Sequence, residues 1–190
     1  MKNFIISLAL VFFFAGAYAQ EIEVKEGLNK AEQKKYLKKE RKRQKLAELE
    51  QNKKELLEML DTRQFVLEAT FLSGKRGVLV PVASNLNFFT VDSSKSVMQI
   101  GNVSAVGYNG VGGITEEGNV TRYDITETKS GYSVRIYMMG NLGTYTIFLN
   151  ASAAGRSTAR VTGLTGGVLT FHGDIVPTYK STVYQGMTTY

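Results

Sequence analysis

The chain has 190 residues, no cysteine, one histidine and a formal net charge of +6. Without cysteine it has neither disulfide staples nor thiol chemistry, and a lone histidine leaves too few ligands for a zinc centre, so no metal or cofactor is expected. Nineteen glycines against two prolines, beside ten phenylalanines and ten tyrosines, fit tight turns around a packed core rather than a disordered linker.

The first nineteen residues read as a secretory signal peptide. Met1-Lys2-Asn3 is a short basic start, an apolar run extends from Phe4 to about Ala15, and small residues end in Ala17-Tyr18-Ala19. The run is shorter than the roughly 20 apolar residues a spanning helix needs. Cleavage is expected between Ala19 and Gln20, with no integral membrane segment left in the mature chain. This places the protein in the cell envelope, periplasmic or outer-membrane-associated, or secreted.

Residues 20–62 form the second part, a charged helical segment. From Glu21 to about Thr62 there is no proline and one glycine, Gly27, among many strong helix formers. Leu46, Leu49, Lys53, Leu56 and Leu60 recur in steps of three and four, a seam of barely two heptads that suits docking onto a neighbouring domain. Upstream, Lys34, Lys35, Lys38, Lys39, Arg41, Lys42, Arg43 and Lys45 stand against a single acid, Glu40. That basic surface has no continuous apolar stripe. It reads first as a solvated helix and second as a contact for an anionic surface. Nucleic acid is not expected, because export removes the protein from it.

At Gln64 the period switches from helical to alternating. Phe65, Leu67, Ala69 and Phe71 fall on one face of a strand, with Glu68 and Thr70 on the other. The same alternation marks Tyr132–Met138, Tyr145–Ala151 and Leu169–Ile175, and shorter runs cover residues 87–91, 96–100, 103–106, 120–128 and 158–162. Turn signals at Asp92-Ser93-Ser94, Asn109-Gly110, Ser130-Gly131, Gly140-Asn141, Ala154-Gly155 and Gly166-Gly167 separate them. No helix-length pattern intervenes. The fold class is mainly β, an antiparallel meander of about eight strands over residues 63–177, closing into a barrel or sandwich, with a tail at 178–190.

Several stretches in this order resemble a known family. They are Arg63-Gln64-Phe65-Val66-Leu67-Glu68-Ala69, Val91-Asp92-Ser93, Gln99-Ile100-Gly101, Asn109-Gly110-Val111-Gly112-Gly113-Ile114-Thr115 with Glu117-Gly118 and Tyr123, and the closing strand to Pro177. From about Gln64 to Pro177 the chain is similar to the domain-of-unknown-function family numbered 4251, found in exported proteins of Bacteroidetes. The resemblance implies a lipocalin-like β-barrel topology and a cell-envelope location. It implies no activity and transfers no functional residue.

Catalytic signals are sparse. His172 shares a strand face with Thr170 and Asp174, about 7 Å from the latter by strand geometry. A hydrolase built on His172 and Asp174 would still need a nucleophile, and no Gly-x-Ser-x-Gly elbow exists. Glu116-Glu117 would point to opposite faces of a strand and reads as a charged hairpin end. The glycine-rich stretch at 107–113 matches no phosphate loop. Its Asn109, Gly110, Gly112 and Gly113 are the one ligand-contacting candidate, read otherwise as a tight turn and a close backbone approach. The expected function is a non-catalytic binding or structural module for a small apolar ligand or an envelope protein. The alternatives are the His172/Asp174 hydrolase and, last, an integral outer-membrane barrel, whose strands would need about 9–11 residues each.

Overall fold

The structure is a computed structural model describing residues 29–102, 107–163 and 166–189. The signal peptide, the Ala19–Gln20 cleavage point, residues 20–28 of the helical segment and the run at 103–106 lie outside the described residues. Among the described residues no helix is long and apolar enough to cross a membrane.

Contacts divide the chain after Leu46. In the first unit the described residues belong to helix α1 (Lys30–Thr62) and its cap. Asn29 Oδ1 accepts the N–H groups of Ala31 and Glu32, and Glu32 Oε2 accepts that of Asn29. This reciprocal cap satisfies donors that a helix start otherwise leaves open. All eight cations of the basic run are exposed.

The second unit, from Ala47, holds the last turns of α1 and the strands β1 (Gln64–Gly74), β2 (Leu79–Pro81), β3 (Phe88–Asp92), β4 (Lys95–Ile100), β5 (Ile114–Thr128), β6 (Gly131–Gly140), β7 (Thr144–Ser152), β8 (Ser157–Gly163) and β9 (Val168–Pro177). Every pairing is antiparallel. Because β9 returns to β1, strands β1 and β3 to β9 close an eight-stranded ring. The short β2 is an addition to the expected pattern. It pairs with the upper part of β1 (Phe71–Ser73), where β3 no longer reaches.

Alternation places Phe65, Leu67, Val134, Ile136, Ile147, Leu149 and Phe171 in the interior, all fully buried. One expectation fails on β1. The register with β9 shifts between Ala69 and Phe71, so Thr70 is an extra residue in the ladder. The bulge turns Phe71 off the face of Ala69 and brings Leu72 inward; Arg156 lies over the displaced Phe71 ring at 5.0 Å.

The seam on α1 closes one end of this barrel. Leu56 and Leu60 are buried in the same cluster as Phe65, Tyr132 and Ile136, whereas Leu46 is exposed. Lys53, the one polar seam residue, binds Glu127 at 2.6 Å and sits over the Tyr132 ring. Asn52 donates to the Ala153 carbonyl in the β7–β8 turn. At the helix terminus the Leu60 carbonyl accepts both the Arg63 N–H and, at 2.9 Å, the Tyr123 hydroxyl. Burial pushes the Tyr123 phenol well above its ordinary range, so it remains a donor.

The 178–190 tail is built into the domain. After a 3-10 turn (Thr178–Lys180), it runs along the outer sheet face. Val183 packs on the outward-facing Val66, Phe88 and Val97, and Ser181 donates to Glu68. Further on, Tyr184, Met187 and Thr189 donate their N–H groups to the carbonyls of Asn85, Asn109 and Thr115.

Leu60 has 0% exposure at the helix–barrel contact. Leu60→Ala should lower unfolding stability by about 2–5 kcal/mol, the range for a buried leucine whose site cannot collapse. Urea denaturation checks this. A loss below about 0.5 kcal/mol, typical of a surface site, would mean that α1 is not part of the core.

Candidate functional site

At the barrel end opposite the helix lies a cavity of about 600 Å³. Leu72, Val80, Val82, Ile100 and Leu169 supply most of its apolar wall, and Ser73, Asn87 and Asn102 are the polar side-chain residues among its lining. Its position follows from strand pairing. The β1–β3 ladder stops at Glu68–Phe88, and above it residues 82–87 cross the gap with only two backbone bonds to β1, Ala69 to Asn87 and Val82 to Thr70.

Buried amides hold the wall in shape. Asn87, fully buried, donates to the carbonyls of Ala83 and Gly101 and accepts the Gly101 N–H. Gln99, also fully buried, donates to the carbonyls of Leu86 and Tyr184 and accepts from the Thr115 hydroxyl and the Gly186 N–H. Every polar position of Gln99 is thus used to tie β4, β5, the 82–87 crossing and the tail together.

Of the four ligand-contacting candidates, Gly112 lines the cavity. Asn109 is buried and turned into its own loop. Its Oδ1 accepts the N–H groups of Val111 and Gly113, while its amide donates to the Ile100 carbonyl and to the Thr115 hydroxyl. No donor or acceptor of the Asn109 side chain is left for a ligand. Gly110, at φ 75°, occupies the left-handed conformation expected of a tight turn. Gly113 lies so close to the Ile100 carbonyl that a Cβ would collide with it.

Glu116 and Glu117 are not at a hairpin end but within β5. They do take opposite faces. Glu117 accepts from the Thr188 hydroxyl on the outside. Glu116 pairs with Met98, one pleat further inside than the Ile114–Ile100 pair, and is only 1% exposed. Its Oε1 accepts the Leu142 N–H at 2.8 Å, but Oε2 has no partner among the described residues. Gly140 makes room for it, since a Cβ there would meet the carboxylate. Burial pushes the Glu116 carboxyl above the ordinary 4.5, partly offset by the N–H groups of Leu142 and Asn141. Burial, with a smaller contribution from Glu116, also raises the Tyr145 phenol.

His172 lies on the outer face, as its alternation requires, but its neighbour is not Asp174. Its Nε2 is 2.8 Å from Ser73 Oγ, on the strand alongside. Asp174 is exposed and makes no hydrogen bond to it. Burial first and the Arg156 charge second hold the His172 pKa below 6.5. The contact with Ser73 depends on the Thr70 bulge, which shifts the β1 register by one and could not be read from spacing. Asn87, Gln99 and Glu116 likewise carried no sequence signal, because single polar residues in strand patterns usually face solvent.

Since folded Glu116 holds its proton more tightly than the unfolded chain, its contribution favours folding at low pH. That contribution should be lost as pH rises above 4.5 through the raised pKa. Glu116→Gln should remove this part of the pH dependence, so the stability difference between variant and parent should shift in favour of the variant from pH 4 to pH 7. Parallel pH profiles of the two proteins in urea would contradict an elevated Glu116 pKa.

Comparisons with other proteins agree with this architecture. No curated protein matches the chain. Among solved structures, that of a DUF4251 family protein from Bacteroides eggerthii DSM 20697 is similar at a TM-score of 0.57 and 26% identity, covering 68% of this chain and 90% of that one. The family described as domain of unknown function (DUF4251) matches residues 47–175. The match begins before Gln64, at the residue where α1 enters the barrel unit. Over that span, helix end and barrel together, the chain belongs to the DUF4251 family.

Proposed function

We propose that this is an exported, non-catalytic binding module of the cell envelope whose barrel mouth takes a small apolar ligand. One observation carries the reading: a cavity of about 600 Å³ walled by aliphatic side chains, within the roughly 300–1,000 Å³ of small-molecule sites. The features of residues 1–19 support export. The basic run on α1 supports an additional contact with an anionic envelope surface.

Native mass spectrometry of the undenatured protein, with titration of the apolar fluorophore N-phenyl-1-naphthylamine, tests the ligand. A reproducible extra mass that leaves on unfolding is expected, together with saturable dye uptake. Ala83→Trp, which adds bulk at an exposed part of the cavity wall, should weaken dye binding about tenfold, or ~1.4 kcal/mol. A clean chain mass with no saturable uptake would reject the ligand and favour an envelope protein as the partner.

A second reading rests on the 2.8 Å contact between Ser73 and His172. A neutral histidine beside a serine hydroxyl can act as its base, which recasts the expected His172/Asp174 hydrolase as a Ser73/His172 pair. It predicts fluorophosphonate labelling at Ser73 that falls at least about 100-fold in His172→Ala, the scale of general-base assistance. Unlabelled Ser73 in the folded protein would end the hydrolase reading.

A further inference from the structure

The ends of the barrel differ in chemistry. The turns at the helix end carry charges of both signs, among them Asp92, Lys95, Glu127, Lys129 and Arg156. The described residues of the loops at the cavity end are 75–78, 82–87, 101–102, 107–113, 141–143 and 166–167. They contain no acid, and Lys75 and Arg76 are their only charged residues.

Large apolar side chains are exposed at this same end. Tyr108 is 88% and Val78 66% exposed, with Leu79, Ile114, Leu142 and Met187 also open. Register brings them together. Ile114 ends β5 opposite Ile100 in the cavity wall, Leu142 lies in the β6–β7 turn, and Met187 binds the backbone of Asn109 next to Tyr108. Val78 leads into β2, which Leu79 begins and whose Val80 lines the cavity. Exposed aliphatics, an aromatic and two neighbouring cations thus share the end of the barrel at which the cavity lies, on loops without acids. Apolar patches of this kind mark interaction surfaces.

We propose that this rim is a lipid-docking surface that seats the cavity mouth on an anionic bilayer. Apolar tips and a tyrosine suit the headgroup–acyl boundary, and Lys75 and Arg76 suit the anionic headgroups beside it. A protein partner would be expected to be met by acidic as well as basic groups, and the flanking loops carry none of the former; the carboxylates nearest to them are Glu116, buried beneath the Leu142 N–H, and Glu117, engaged by the Thr188 hydroxyl. The inference rests on the cavity as an apolar-ligand site and deepens it. The ligand class becomes a membrane-partitioned amphiphile that moves between bilayer and cavity without crossing water.

Sedimentation of the purified protein with phosphatidylcholine–phosphatidylglycerol vesicles tests the docking. The protein should pellet with the vesicles, and Val78→Asp/Tyr108→Asp should lower its partitioning at least ~tenfold while leaving the melting curve and solution dye uptake unchanged. Lys75→Glu/Arg76→Glu should weaken binding to these vesicles but not to pure phosphatidylcholine. Because the basic run on α1 also attracts anionic lipid, Lys38→Glu/Lys42→Glu is made alongside, and the loss caused by the rim variants should persist in that background. Docking is overturned if the protein stays in solution, if partitioning survives the rim substitutions, or if only the Lys38/Lys42 reversal abolishes it. It is equally overturned if the rim substitutions instead dissolve a dimer, which would assign the rim to a second copy. Vesicle docking without dye uptake would reject the apolar cavity and leave the docking surface standing.

Discussion

The pairing of β1 with β9 is the constraint from which the rest of the domain follows. It converts an open meander into a ring without free edges, and it runs the whole length of β1, from Phe65–Pro177 to Gly74–Leu169. On its other side β1 has to share. Its lower half is held by β3 and its upper half only by the three-residue β2. The barrel wall is therefore complete near the helix and interrupted at the opposite end, where residues 82–87 cross the gap. The bulge at Thr70 falls at this change of partner. It reverses which side chains face inward, putting Leu72 into the cavity wall and Phe71 outside. Cavity, bulge and the Ser73–His172 contact have a common origin in one strand that must serve three neighbours.

An interrupted wall leaves backbone groups without ladder partners, and buried unpaired groups are costly. Asn87 and Gln99 replace the missing ladder with side-chain amides, each offering two donors and two acceptor positions in a small volume. Asn109 does the same for its loop. The chain from Asn109 to Thr115 to Gln99 to Gly186 joins the loop at 107–113 to the C-terminal tail. The tail is thus a strut for the cavity wall as well as a cover for Val66, Phe88 and Val97. Glu116 differs from these amides. Among the described residues one of its oxygens is satisfied and the other is not, so this interior carboxyl retains polarity without complete pairing.

The barrel was legible because its interior is sorted by a period of two, which strands such as β6, β7 and β9 keep over nine or ten residues. The helix was legible as a helix, and the three-and-four steps of Leu56 and Leu60 marked the face that docks. Other features were not legible, for identifiable reasons. The bulge adds one residue to the ladder without a glycine or proline to mark it. The outward Val66 and Val97 break the polar face expected of their strands, but their partner is the tail, which has no periodicity of its own. Buried polar residues such as Glu116 inside the barrel and Gln99 beneath the tail sit in register positions that alternation assigns equally well to either face. What decides between faces is the identity of the neighbours across the ladder, a property of the fold that a single strand does not carry.

The two ends of the barrel show how one sequence can build a sealed and an accessible surface on the same ring. At the helix end the apolar openings are filled by Leu56 and Leu60, and polar side chains close the contact: Lys53 to Glu127, Asn52 to Ala153 and Tyr123 to Leu60. At the cavity end glycines and amides allow the loops to approach one another, while their aliphatic side chains remain exposed. A sheet ring of this size can be filled by its own side chains; the cavity lies at the end where β1 exchanges β3 for β2. Exposed apolar surface tends to promote aggregation unless something covers it. Its presence at the end where, among the described residues, the wall is interrupted, with no acid in the flanking loops, argues that cavity and rim form one functional surface.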